Sequence, residues 1–159
     1  MSCRTKGYIS QLIIPLARQY ICPTCEASIE ASIETLLLES MSEHNIALNL
    51  EGECCYHMAL DNSGKLLGVI GMRQETHLFH LFVADGYQGQ GIARQLWHYV
   101  KSDTLNRLGG TQFTVNSALN AEQVYRQFGF ERIGGIRQRG GMVDVPMLLS
   151  ASQAESTTL

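Results

Sequence analysis

A chain of 159 residues suits one domain with a real hydrophobic core. Its 45% hydrophobic and 17% charged residues exclude a disordered or fibrous chain, and a net charge of −3 supplies no strong field for nucleic acid or an anionic membrane. Apolar runs such as residues 12–16 and 36–38 are too short to span a bilayer, and the N-terminus lacks a signal-peptide core with a small-residue cleavage site, so the cytoplasm is the expected location.

Five cysteines, an odd number, argue against a disulfide framework. Cys22 and Cys25 have the spacing of half a zinc site or a redox pair. A zinc site needs a second pair of ligands, and the adjacent Cys54 and Cys55 ligate one ion poorly. A redox pair belongs between a strand and a helix in a thioredoxin-like unit, which the surrounding pattern does not provide. The favoured reading is structural or incidental thiols and no metal.

Residues 1–7 read as a loose end. Ile9, Leu12, Ile13, Leu16 and Tyr20 form a helical stripe that Pro15 starts or bends. After the break at Pro23, Ile29, Ile33, Leu36, Leu37 and Met41 form a second one. Residues 54–60 alternate as a strand, residues 61–65 are a turn of Asp, Asn, Ser, Gly and Lys, and residues 66–72 are a nearly all-apolar strand buried on both faces. The two make an antiparallel hairpin. A polar turn at residues 73–76 leads into an apolar strand over residues 77–83.

Gln88-Gly89-Gln90-Gly91 then forms a glycine turn, and a helix opens at Ile92 with Leu96, Trp97 and Val100 on one face. The first turn of a helix has unpartnered N–H groups and the positive end of its dipole. Glycines let a phosphate approach those groups, so residues 88–94 form a candidate anion cradle with Arg94 beside it. A plain strand-to-helix turn is the competing explanation. A dinucleotide fingerprint needs a third small residue where Arg94 stands, and no GK[ST] follows, which excludes a nucleoside-triphosphate loop.

The helix ends at Leu108-Gly109-Gly110 and a strand follows over residues 111–116. Asn120 reads as an N-cap, with Gln123 completing a capping box. Ala121, Val124, Tyr125 and Phe128 supply that helix's inner face, and Gly129 stops it. Residues 130–136 and 143–149 read as two last strands joined at Gly140-Gly141. Residues 150–159 read as a polar frayed tail.

Two ordered motifs resemble the signature of the GNAT superfamily of N-acetyltransferases. The first is [Gln/Arg]-x-x-Gly-x-[Gly/Ala] after a strand, matched by Gln88-Gly89-Gln90-Gly91-Ile92-Ala93. The second is a strand, then Asn, Ala, Tyr and Gly-Phe, matched by Phe113 to Asn116, Asn120-Ala121, Tyr125 and Gly129-Phe130. The resemblance covers roughly residues 65–149. It implies an α+β, three-layer fold: a mixed, mostly antiparallel sheet of about six to seven strands with helices on both faces. It further implies a single domain over residues 1–159, with a helical acceptor-side part at about 8–44, an acetyl-CoA-binding core at about 65–130 and a C-terminal hairpin at about 130–149.

By the same resemblance, acetyl-CoA is the co-substrate. Backbone groups of Leu81, Phe82 and Val83 would bond its pantetheine arm, and Gln88, Gly89, Gln90, Gly91, Ile92, Ala93 and Arg94 would hold its pyrophosphate. Tyr125 would protonate the leaving thiolate, a phenol's pKa being close enough to a thiol's to share a proton; helical periodicity alone reads it as a core tyrosine. Asn120 and Asn116 are candidate contacts to the cofactor arm, with capping and strand termination as their structural alternatives. His77 occupies the strand position of a possible base and suits that role near neutral pH. On a regular strand it faces the same way as Phe79, Leu81 and Val83, with His80 opposite. Glu75 is the acidic alternative, and removal of the proton by water remains open.

The expected activity is acetyl transfer to an amine by direct attack in a ternary complex. A small-molecule acceptor is favoured over a protein, without nucleic acid or membrane partners, and a homodimer is plausible. A non-catalytic acyl-CoA-binding regulatory module is the competing class.

Overall fold

A computed structural model describes residues 42–139 and 142–156 of the chain. The helical stripes expected over residues 8–20 and 29–41, and the pair Cys22 and Cys25, lie outside the described residues. The first described element is helix α1 (Glu43–Glu51), whose N-cap Ser42 accepts a hydrogen bond from the Asn45 amide at 3.3 Å.

Strands β1 (Cys54–Leu60), β2 (Leu66–Arg73) and β3 (His77–Val83) follow as two antiparallel hairpins. The first turn closes around Asp61, whose carboxylate accepts from the Ser63 and Lys65 amides at 2.8 and 3.0 Å. The second turn holds Gln74 and Glu75 at φ 49° and 64°, a left-handed backbone that glycine or asparagine would adopt more cheaply. Helix α2 (Ile92–Leu108) crosses to β4 (Phe113–Ser117), which pairs with β3 in parallel. Helix α3 (Glu122–Gln127), short strands β5 (Glu131–Arg132) and β6 (Arg137–Arg139), the long β7 (Met142–Leu149) and helix α4 (Ala151–Ser156) complete the described part. The sheet runs β1-β2-β3-β4-β7-β5, with β6 on β7, and every pairing but β3–β4 is antiparallel. This is the mixed, mostly antiparallel α+β sheet expected.

The two faces of the sheet carry two cores. On one, α2 and α3 lay Leu96, Trp97, Val100, Tyr125 and Phe128 against Ile70, Met72, Leu78, Phe113, Val115 and Met147. Trp97 is the hub, edge-on to Phe113 at 5.2 Å and stacked on Phe128 at 6.1 Å. On the other, α1 buries Ile46 against Leu66, Val69 and Phe82. Each fully buried aliphatic or aromatic side chain stabilises by about 1.5–3 kcal/mol, so both layers hold the sheet. Gly68 sets the closeness of α2: a Cβ there would lie 2.9 Å from the Phe82 carbonyl oxygen and 3.2 Å from Ile92 and Leu96.

Five expectations are corrected. The strand read over residues 130–136 is broken into β5 and β6, with Gly134 and Gly135 between them outside any strand. Residues 151–156 form α4 instead of a frayed tail, because Ala154 is fully buried and the Ser150 hydroxyl accepts from the Gln153 amide. Asn120 lies within the 3₁₀ turn Leu119–Ala121; the α3 N-cap is Ala121, which makes no side-chain capping bond. Val124 is 39% exposed, since so short a helix turns only Tyr125 fully inward.

The fifth concerns β3. Gly71 pairs with His80 and Met72 with Leu78, so Phe79 is an extra residue, a β-bulge. The bulge reverses the alternation. Leu81 and Val83 join the α2 core together with Leu78, whereas His77, Phe79, His80 and Phe82 share the opposite face. His77 therefore does not point with Leu81 and Val83.

Candidate active site

The turn after β3 has the form a phosphate cradle requires. Gly89 and Gly91 have φ of 72° and 82°, and a Cβ on either would meet nothing within 4 Å. Gly91 caps α2 without any side-chain bond. The first hydrogen bond of the helix runs from the Gln95 amide to the Gly91 carbonyl. No group among the described residues accepts from the amides of Ile92, Ala93 or Arg94. Side chains brace the turn from behind: Gln88 donates to the Val83 carbonyl at 3.3 Å and to Asp85 at 3.0 Å, and Gln90 donates to the Gly86 carbonyl at 3.1 Å. Arg94 is exposed one helical turn in. Three free amides, a positive helix end and an adjacent cation make a site suited to a pyrophosphate.

Beside the cradle the sheet opens. Strands β3 and β4 pair only at His77↔Thr114 and Leu78↔Val115. Beyond them the strands diverge, so the backbone of Phe79 to Val83 faces a wedge rather than a neighbouring strand. A strand edge that has left its neighbouring strand can take a partner that hydrogen bonds as a strand does. Leu81, Phe82 and Val83 thus line the way from the cradle to the bulge.

At the closed end of the wedge stands His77. Its Nδ1 lies 2.8 Å from the Thr114 hydroxyl, which orients the ring and leaves Nε2 for another partner. Burial, followed by the charge of Arg73, lowers its pKa below the usual imidazole value. It is therefore neutral at neutral pH, the form a base needs. Glu75, the acidic alternative, is tied to Arg107 of α2 at 2.9 Å, away from the face that carries His77.

Behind the bulge, the Tyr56 hydroxyl and His80 Nδ1 are 2.8 Å apart. His80 stacks on Phe79 with ring centroids 4.2 Å apart. Burial and, secondarily, Arg73 push its pKa down to about 4, and burial pushes the Tyr56 phenol up. Both are neutral and serve packing. Gly71 is required beneath them, because a Cβ there would lie 2.5 Å from the Tyr56 ring.

Tyr125 sits on α3 within the main core, edge-on to Phe128 and Phe130 at 6.2 and 6.0 Å. Asn116 is exposed and accepts from Arg137 at 2.6 Å, and Arg137 also pairs with Asp144. Asn120 is exposed at the same end of β4. The fold brings His77, Leu81 to Val83 and residues 88–94 along one strand and its following turn, and it holds Tyr125 in the core against Phe128 and Phe130. Sequence reading missed Thr114, Arg73 and Tyr56. Only the cross-strand register sets them beside His77 and His80, and nothing local in their segments encodes it.

On the edge strand, Cys55 Sγ lies 3.6 Å from His57 Nε2, with the thiol pKa raised chiefly by burial. Among the described residues no three His, Cys, Asp or Glu side chains gather as a metal site, and no helix is long and apolar enough to cross a membrane.

With this geometry in place, comparison with known proteins assigns the class. The model of the acetyltransferase (GNAT) domain family matches residues 24–151, and the chain belongs to that family. Membership gives the activity class, acyl-CoA-dependent acetyl transfer. No curated protein matches the chain in sequence. Among solved structures, a GCN5-related N-acetyltransferase from Rhodopseudomonas palustris has a TM-score of 0.72 at 15% identity, over 94% of this chain and 92% of that one. The PaiA N-acetyltransferase of Thermoplasma acidophilum in complex with coenzyme A has a TM-score of 0.72 at 15% identity, over 90% and 93%. An aminoglycoside 6'-N-acetyltransferase complexed with coenzyme A has a TM-score of 0.63 at 14% identity, over 94% of both chains. At such identities the likeness is one of fold.

Proposed function

We propose that the chain moves an acetyl group from acetyl-CoA to the amine of a small molecule, by direct attack within a ternary complex. The observation that carries this reading is the alignment of an open cradle, a strand edge that parts from β4 after Leu78 and a neutral, oriented histidine along β3 and its turn. In this reading the amides of Ile92, Ala93 and Arg94 hold the pyrophosphate, aided by the positive end of α2. The β3 edge that faces the wedge at Leu81 to Val83 bonds the pantetheine arm, with Asn116 and Asn120 at the facing strand end. An N–H of β3 near the bulge polarises the thioester carbonyl.

His77 Nε2 takes the proton from the attacking ammonium or amine, held in position by Thr114. The amine nitrogen forms its bond to the carbonyl carbon as the carbon–sulfur bond breaks, and the Tyr125 hydroxyl delivers a proton to the departing sulfur. The described residues join both halves of the site in one sheet. Two similar solved structures, the PaiA N-acetyltransferase and the aminoglycoside 6'-N-acetyltransferase, were determined with coenzyme A, which supports the donor, and their N-acetyltransferase names support an amine acceptor.

The test pairs calorimetric titration of acetyl-CoA and CoA with an acceptor screen read by thiol release. Binding in the micromolar range with turnover of an amine is expected, and Tyr125→Phe should lower kcat at least tenfold while leaving the acetyl-CoA Kd within a factor of two or three. Binding without any turnover would favour a regulatory acyl-CoA-binding module, and failure to bind would remove the reading.

A further inference from the structure

Resting on the acetyltransferase reading, we propose that Arg73 receives a carboxylate of the acceptor, so that the acceptor is an amine carrying a carboxylate close to its amino group, as an amino acid does. Arg73 lies directly opposite His77 in the β2–β3 pair. Directly opposed residues on one face of an antiparallel pair have Cβ atoms about 5 Å apart. The guanidinium is partly buried and lies flat on the Phe79 ring, with its carbon 3.6 Å from the centroid. Phe79 is the bulge residue, and the bulge directs it to the same face as His77 and His80.

Among the described residues this cation has no acidic partner. None of the ion pairs among the described residues involves Arg73; the acids nearest in sequence are committed elsewhere, Glu53 to Gln74 and Glu75 to Arg107. Tyr56, His77 and His80 each feel its charge and Cys54 lies opposite it on β1, and none of these carries a carboxylate. A partly buried guanidinium without a counter-charge is costly unless the site has another use for it. Stacking occupies only the flat face of the group, so the planar fork of N–H donors stays free at its edge, the geometry that grips a carboxylate with two bonds.

The arrangement also answers an electrostatic difficulty. An acceptor arrives largely as an ammonium ion, which Arg73 repels; a carboxylate on the same molecule reverses that sign and fixes the amine toward His77. Hydrogen bonds of about 2.9 Å to each side chain leave room for an amine and a carboxylate a few bonds apart.

The experiment uses matched acceptors: amino acids, their decarboxylated amines and their carboxamides, with acetyl transfer followed by thiol release. Acetyl-CoA binding is measured in parallel by calorimetry. Wild type is expected to favour the acid over its decarboxylated partner at least tenfold in kcat/KM, chiefly through KM. Arg73→Met, which keeps an apolar stem against Phe79, should bring that ratio to about one, and Arg73→Lys should leave it between the two. Equal or reversed preference in wild type, or an Arg73→Met ratio unchanged from wild type, overturns the assignment. So does acetyl-CoA binding without turnover of any acid in the panel. Absence of acetyl-CoA binding, by contrast, removes the acetyltransferase reading itself.

Discussion

Gly91 and Gly64 offer a matched pair of substitutions that separates cofactor contact from backbone strain. Both have strongly positive φ, 82° and 85°, and at both an added Cβ meets nothing within 4 Å. Alanine at either site therefore costs only the left-handed penalty, about 1–2 kcal/mol. For a chain of this size that lowers Tm by roughly 2–8 °C. The sites differ in position. Gly64 closes the turn around Asp61, whereas Gly91 opens α2 at the cradle. A methyl at Gly91 would stand in the space a pyrophosphate needs. Loss of one charge-assisted bond to an amide costs about 1.5–3 kcal/mol, a factor of roughly ten to a hundred in Kd. Calorimetric titration with acetyl-CoA beside thermal unfolding reads both quantities. Gly91→Ala should weaken binding by that factor, and Gly64→Ala should leave it within twofold at a similar Tm. Equal affinities at equal Tm would refute the cradle.

Three further outcomes follow from the geometry. Because burial and Arg73 hold the His77 pKa below the ordinary value, the acid limb of the kcat/KM profile should fall below pH 6.5 and disappear in His77→Gln; an identical profile in the variant would deny His77 the role of base. His80 is held neutral down to about pH 4, while an unfolded chain protonates it below about 6.5, so the unfolded state binds the extra proton and stability falls as pH drops through that window. The loss amounts to up to about 3 kcal/mol. Urea unfolding from pH 7 to 4 should show a smaller decline in His80→Gln, and parallel declines would refute it. Replacing Gln74-Glu75 by Asn-Gly should raise stability by about 1 kcal/mol, seen as a Tm gain of a few degrees, because the exposed bonds to Glu53 and Arg107 that are lost contribute little. A fall in Tm would mean those bonds outweigh the strain.

Much of this architecture was legible in the sequence. The turn at Asp61, the glycines of the cradle and the apolar spacing from Ile92 to Val100 each follow a local rule, and β1, β2, β3 and α2 lie where those rules put them. The bulge at Phe79 was not legible: residues 77–83 are apolar or aromatic at nearly every place, so no alternation marks where it reverses. The break between β5 and β6 was hidden for a related reason, since Ile133 and Ile136 look like strand residues yet are 59% and 58% exposed. Helix α4 escaped because one small residue, Ala154, does most of its burying. The neighbours of His77 are set by pairings between distant segments, and a single sequence carries no local trace of them.

The two-residue contact between β3 and β4 gives the centre of the sheet a seam as short as that of the rim strand β5 on β7. A sheet so divided behaves as two plates riveted at one end and clamped by α2. A ligand that hydrogen bonds across the gap would stiffen both. Such a ligand, at a hundred times its Kd, adds about 2.7 kcal/mol to the folded state. Amides of Phe79 to Val83 should then exchange with solvent most slowly when the gap is filled.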